Sequence, residues 1–296
     1  MIRKILLLMI IAINITADDA GEAVTSIPHL QMGVGARASG MGGAFVGLAD
    51  DATTTYWNPA GLSRISVYRT HIASMYSKMS FDRVYSYLSV YEKLENNYGG
   101  LGLSWYNFRI DNIEETDISG NVSGMQNYAV NTFALSYGNS IIDTLKAGIS
   151  LKYYYLKYLS NDAKGIGIDF GALYKPFGPF FQVGLVVQDI NFGICWNTER
   201  KDLVYPDVRL GFSYNILYEK LIILADLEDN FKARLKTHFG AEYWLNEYTG
   251  IRAGLNDLKL TAGLSFKITN YQIDYSCLLD NNDLGDIHRF SIQAYF

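Results

Sequence analysis

The chain has 296 residues, a formal net charge of −5 and 49% hydrophobic residues. Its 23 Tyr, 15 Phe and 27 Gly, against only 5 Pro, point to a β-rich protein with tight turns and aromatic anchors. With no basic excess there is no stripe for a phosphate backbone, and nucleic acid is excluded as a partner.

Residues 1–17 read as a secretory signal peptide. Arg3 and Lys4 precede an apolar run from Ile5 to Ile13, and Ala17 supplies a small residue just before Asp18. The run is far shorter than the ~20 residues of a spanning helix, and a buried amphipathic helix would explain neither the basic start nor the switch to Asp18-Asp19. Beyond Ala17 no stretch is apolar enough to span as a helix, so any membrane role falls to strands. Residues 18–65 contain "GARASGMGGAFVGLADDATTTYWNPAGLS", Gly35 to Ser63, which follows neither the helical nor the strand period and is crowded with small residues that permit close backbone approach.

From residue 66 onward the period is two. "GIGIDFGALY" sets Ile166, Ile168, Phe170, Ala172 and Tyr174 against Gly165, Gly167, Asp169, Gly171 and Leu173. "DVRLGFSYNI" sets Val208, Leu210, Phe212 and Tyr214 against Arg209, Gly211 and Ser213. Fourteen such strands are predicted, at 67–76, 81–91, 98–108, 127–137, 145–157, 164–174, 180–188, 207–217, 220–227, 236–244, 249–256, 259–268, 271–279 and 288–296. A soluble sandwich also alternates. Gly, Ser and full charges on the polar face, aromatic residues near strand ends and a closing Phe296 favour instead an all-β fold, a transmembrane antiparallel β-barrel of about 14 strands. Residues 66–296 are its wall.

The long connections fall after strands 3, 7, 9 and 13, which places them on one side and both barrel ends on the other, as short periplasmic turns and longer extracellular loops require. Reflecting the strands across their turns predicts that Lys152 faces Asp169, Glu242 faces Arg252, Lys267 faces Asp274 and Asp274 faces Arg289, all on the lumen side. The same construction sets Arg252 against Lys267, a like-charge pair that needs a carboxylate from elsewhere. Residues 18–65 are expected to enter the lumen as a plug, with Asp50 and Asp51 facing Arg209, Arg252, Lys267 and Arg289; two carboxylates in a solvated turn are the competing reading.

The stretch Gly35 to Ile65 resembles the N-terminal signature of the PorV/PorQ family of bacterial outer-membrane proteins, relatives of the FadL-like barrels. The resemblance implies a fourteen-stranded barrel with an N-terminal plug, carried by Gly35, Gly40, Gly42, Gly43, Asp50, Asp51 and the "NPAG" element Asn58, Pro59, Ala60 and Gly61. It implies a place in the outer membrane of a Gram-negative bacterium, in contact with outer-membrane lipid. Two functions follow from it. The first is an accessory of type IX-like protein secretion, whose partners are secretion-machinery subunits and exported cargo. The alternative is FadL-like transport of hydrophobic small molecules such as fatty acids.

An enzyme is not expected. His29 precedes the quoted motif, His71 and His288 sit near strand ends, and His238 shares a strand face with Glu242 about 13 Å away, so no Ser-His arrangement or metal-ligand spacing emerges. No cofactor is expected either. Cys195, in a connection that runs from Gly193 to Val204, and Cys277, on the lipid-facing side of a strand, are not expected to pair. That connection, with Ile194, Trp196 and Leu203 among charges, is a candidate for contacting a partner or gating a ligand, against the plainer reading of a solvated loop.

Overall fold

A computed structural model describes residues 27–64, 68–95, 98–217, 220–232, 234–280 and 285–296. The expected signal peptide, 1–17, and residues 18–26 lie outside them. Among the described residues, fourteen antiparallel strands form the wall: β1 (Thr70–Met79), β2 (Arg83–Lys93), β3 (Gly100–Thr116), β4 (Val122–Ile142), β5 (Leu145–Tyr158), β6 (Asn161–Tyr174), β7 (Phe181–Asn191), β8 (Asp207–Ile216), β9 (Leu221–Asp229), β10 (Lys236–Trp244), β11 (Thr249–Asn256), β12 (Lys259–Ile268), β13 (Tyr271–Leu278) and β14 (Ile287–Tyr295). Each pairs with its sequence neighbours, and β1 closes on β14 from His71↔Tyr295 to Tyr76↔Phe290. Closure leaves the body of the wall no free edge, so its strands find their ladder partners within the protein.

The alternation decides which face is which. Leu103, Leu135, Leu151, Phe170, Phe239 and Ile292 point outward and are exposed, whereas Ser136, Ser150, Asp169, Arg209, Ser265 and Gln293 point inward and are buried. Outside, exposed aromatic residues gather at both rims: Tyr98, Tyr174, Phe177, Tyr248 and Phe296 by the short turns, and Phe81, Phe192 and Phe231 by the opposite connections. An apolar band between aromatic girdles is the exterior of a barrel that crosses a bilayer with its strands. No helix among the described residues is long and apolar enough to cross.

Two departures from the sequence reading concern the wall. The long connection expected between strands 3 and 4 is mostly strand: β3 runs on to Thr116 and β4 starts at Val122. Beyond Ile110 and before Tyr128 the two pair only with each other, as a ribbon projecting past β2 and β5, with a register shift between Ile110 and Ile113. A ribbon wetted on both faces has no reason to alternate, so "DNIEET" carried no period. In β7 a bulge opposite Asp169 puts both Gln188 and Asp189 inside, Asp189 at φ 59. Above it β6 pairs with a short strand, Ile194–Trp196, which in turn pairs with Lys201–Asp202.

The register is also corrected. Glu242 faces Arg252 as expected. Lys152, however, faces Gly167 and Asp169 faces Ser150; Lys267 faces Gln272, Asp274 faces Ser265 and Ser291, Arg289 faces Ser276, and Arg252 faces Gly263. The slip is two residues for Lys152, Lys267 and Asp274 and four for Arg252. Such a slip keeps every side chain on its face and changes only its partner, which is why burial was legible and pairing was not. The expected pairs Lys267–Asp274 and Asp274–Arg289 do not form, and the like-charge pair Arg252–Lys267 is not a facing pair either.

The topology sets an accessibility test. In a Cys195→Ser, Cys277→Ser background, cysteines at Asn121 and Glu199 should react in intact cells with an impermeant maleimide, and one at Asn246 should react only after lysis. Labelling at Asn246 in intact cells would invert the barrel.

Candidate functional site

The lumen is occupied. Residues 27–64 form four short helical turns, Pro28–Gln31, Ala36–Gly40, Thr54–Trp57 and Pro59–Ser63, joined by tight bends and buried along nearly their whole length. Their polar groups reach wall strands around the circle. Ala36 N–H donates to Ser291 Oγ at 2.8 Å, Gly42 N–H to Thr261 Oγ1 at 3.0 Å, and the Phe45 and Val46 N–H groups to one oxygen of Asp226 at 2.9 Å each. Ser213 donates to the Gly47 carbonyl, Ser89 to that of Ala52, and Arg289 to those of Met32 and Gly33. A buried irregular backbone is tolerated only with such partners.

Glycine makes this approach possible on both sides. A Cβ on Gly42, which also has φ +69, would collide with the carbonyl oxygens of Phe239 and Leu255, and one on Gly47 would lie 2.7 Å from the backbone of Gly211 and Phe212. Conversely, side chains at the inward Gly171, Gly184, Gly211, Gly240 and Gly254 would strike Asn58, Val46, Gly47, Met41 and Gly42. The strand glycines read from sequence as one polar face are the channel in which the segment lies. Gly35, Gly40, Gly43, Gly61 and Pro59 are buried with it. Asn58 links the two bodies: its side-chain amide donates to the carbonyls of Val46 and Ala172, and its oxygen accepts from Ala60 N–H, capping the turn that begins at Pro59.

On the β8–β14 side the lumen is ionic. Arg37 of the inner segment grips Glu242 with two hydrogen bonds of 2.9 and 2.8 Å and also reaches Asp50 at 2.6 Å and Asp51 at 3.2 Å. Arg252 donates to the same Glu242 at 2.6 Å and to Asp274 at 3.1 Å. Asp50 and Asp51 are thus neutralised by their own segment's Arg37, and the expected pairing with Arg209, Arg252, Lys267 and Arg289 is corrected. Arg209 is held by Asp207 and Glu228 at 2.7 and 3.0 Å, Lys267 lies 4.1 Å over the Trp244 ring, and Arg289 is taken by carbonyls and Ser39. His238 is held between the Gly42 carbonyl and Glu228. A cavity of about 50 Å³ remains here, lined by Arg209, Glu228, Lys236, His238 and Arg289.

On the β2–β5 side the lumen is aromatic. Tyr56 and Trp57 of the inner segment meet edge to face at 5.1 Å, Tyr56 meets Tyr106 at 5.7 Å, and Tyr87 and Phe108 complete the cluster. At its edge Lys152 sits between Asp169 at 2.8 Å and Asp189 at 2.7 Å, so the expected pair forms on a diagonal, with a third member that sequence reasoning missed. The signal was available: strict alternation would turn Asp189 toward lipid, where a bare carboxylate is not tolerated. Arg37 was equally visible as the one cation between Gly35 and Ser63. His29, expected ahead of the motif, is fully buried within the cluster and hydrogen-bonds Thr132 at 3.0 Å. Over this side the connection from Gly193 to Val204 folds inward, burying Ile194 and Val204, while Cys195 stays exposed and both cysteines are free.

Comparison with solved structures follows the same architecture. The chain is 14% identical to the CymD monoaromatic hydrocarbon channel, covering 90% of this chain and 98% of that one with a TM-score of 0.66. The fold is that of the FadL-like outer-membrane barrels. The Pseudomonas putida toluene transporter TodX is likewise 14% identical, with 88% and 96% coverage and a TM-score of 0.62, and a Pseudomonas aeruginosa FadL homologue is 10% identical, with 85% and 95% coverage and a TM-score of 0.55. No family model matches the chain, and no curated protein matches it.

Two outcomes follow from the contacts of the inner segment. Arg37→Met should leave Asp50, Asp51 and Glu242 facing one another in a dry site, at a cost of about 3–5 kcal/mol. The variant should unfold at lower temperature in heat-modifiability gels and conduct ions in planar bilayers where the parent is nearly silent; parent-like behaviour in both would mean that Arg37 does not hold the segment.

Burial keeps the His29 imidazole down at about 3, against its ordinary 6.5. Between those values the released segment binds a proton that the seated one does not, so seating weakens as pH falls through the window, by up to ~1.4 kcal/mol per pH unit. His29→Gln, which keeps a partner for Thr132, should flatten the decline of the melting midpoint between pH 6.5 and 5.

Proposed function

We propose that this protein is an outer-membrane channel for hydrophobic small molecules, with residues 18–65 as its plug. The observation that carries the reading is the division of the lumen: ionic contacts on the β8–β14 side anchor the inner segment, while on the other side Tyr106 of β3, backed by Tyr87 of β2, meets Tyr56. An apolar solute moving along the rings would leave the anchoring charges paired, and would exchange ring contacts for ring contacts instead of desolvating ions. A filled lumen also argues against a general diffusion pore, which needs a water-filled passage.

The fold supports the same reading, since CymD is described as a monoaromatic hydrocarbon channel and TodX as a toluene transporter. No observation here favours the secretion accessory that the resemblance to PorV/PorQ put first. The outer-membrane placement rests on the apolar band and its aromatic girdles together with these folds. We read the chain as non-enzymatic, because both ring nitrogens of His238 are engaged by Glu228 and the Gly42 carbonyl.

The test is uptake. Cells of a diderm host that produce the protein should accumulate labelled toluene several-fold faster than cells carrying an empty vector, with no gain for a hydrophilic solute of similar size. A gain for the hydrophilic solute alone, or for neither, would overturn the proposal.

A further inference from the structure

We propose that Cys277, Asp286 and His288 form a binding site for a thiophilic divalent cation, best fitted by Zn²⁺, on the outer face of the barrel. The site lies at the end of the β13–β14 hairpin away from the short turns. Register creates it: Cys277 is directly opposite His288 in the ladder, and both side chains point outward. Asp286 sits two residues before His288. The thiol sulfur, one imidazole nitrogen and one carboxylate oxygen lie within 4.8 Å of one another.

The donor set selects the ion. Thiolate, imidazole and carboxylate together suit Zn²⁺, whereas Ca²⁺ and Mg²⁺ take oxygen ligands. Zinc bonds of about 2.0–2.3 Å in a tetrahedron put ligand atoms about 3.3–3.8 Å apart, so the three donors need to close by only about 1 Å. Their supports are in place. The Tyr275 hydroxyl bonds His288 Nδ1 at 2.8 Å with the two rings stacked at 6.1 Å, which fixes the imidazole plane. One Asp286 oxygen accepts from Asp280 N–H at 3.1 Å, leaving the other to turn toward the thiol. Three protein ligands leave the fourth position to water. A bound ion would tie the two strands together at the base of their connection.

The experiment uses the full-length barrel in detergent with Cys195→Ser, so that Cys277 is the one thiol present. Titration with Co²⁺ should produce a thiolate-to-metal absorption band that saturates at one ion per chain and disappears when Zn²⁺ is added. Cys277→Ser should abolish the band, and His288→Ala and Asp286→Asn should each weaken Co²⁺ binding at least tenfold while heat-modifiable migration remains that of the parent. Zn²⁺ should also slow maleimide labelling of Cys277 at least tenfold. Absence of the band in the Cys195→Ser protein, its survival in Cys277→Ser, or unchanged affinity in both other variants would each overturn the site.

Discussion

Everything inside this barrel depends on how closely one backbone can pass another. The inner segment runs against the wall at Gly42 and Gly47, and the wall answers with Gly171, Gly184, Gly211, Gly240 and Gly254. A side chain at any of these contacts would push the segment off the strands that bond it, because a packed interior has no slack for an added methyl group. The bonds from Asp226, Thr261, Ser213 and Asn58 are possible only at that distance. Small residues set the spacing, and polar residues then use it.

Filling the lumen creates an electrostatic problem, which is solved by sharing. Glu242 is held by Arg37 from inside and by Arg252 from the wall; Arg209 answers both Asp207 and Glu228; Lys152 answers Asp169 and Asp189. Buried charges that lose a partner are costly, so these clusters act as position markers for the segment more than as a net source of stability. Confining them largely to one half frees the other for rings. That separation lets a single lumen hold its inner segment by charge on one side and by ring contacts on the other.

Much of the wall was legible because the side-chain period of a strand is two whatever the strand pairs with. Burial of Lys152, Asp169, Arg209, Glu242, Arg252, Asp274 and Arg289 followed from alternation alone. Their partners did not. Lys267 sits over Trp244, and Arg289 serves carbonyls of the inner segment, because turns such as those before Tyr271 and Asn161 displace the register by two while leaving the faces unchanged. The projecting ribbon of β3 and β4 was invisible for the converse reason: with water on both faces, nothing in its sequence has to alternate.

That the chain is a barrel, how many strands close it, which residues face inward, and that a glycine-rich stretch lies before the first strand could all be read from the residues alone. These depend on local period, composition and turn spacing, which act within some ten residues. Folding in three dimensions was needed to show that Arg37 neutralises Asp50 and Asp51, that Asp189 joins Lys152 through a bulge, that His29 lies among the rings, and that Cys277 stands across from His288. Each of these brings together groups from separate strands or from the segment and the wall. Such meetings are fixed by register and closure, where a shift of two residues costs the alternation nothing and changes every partner.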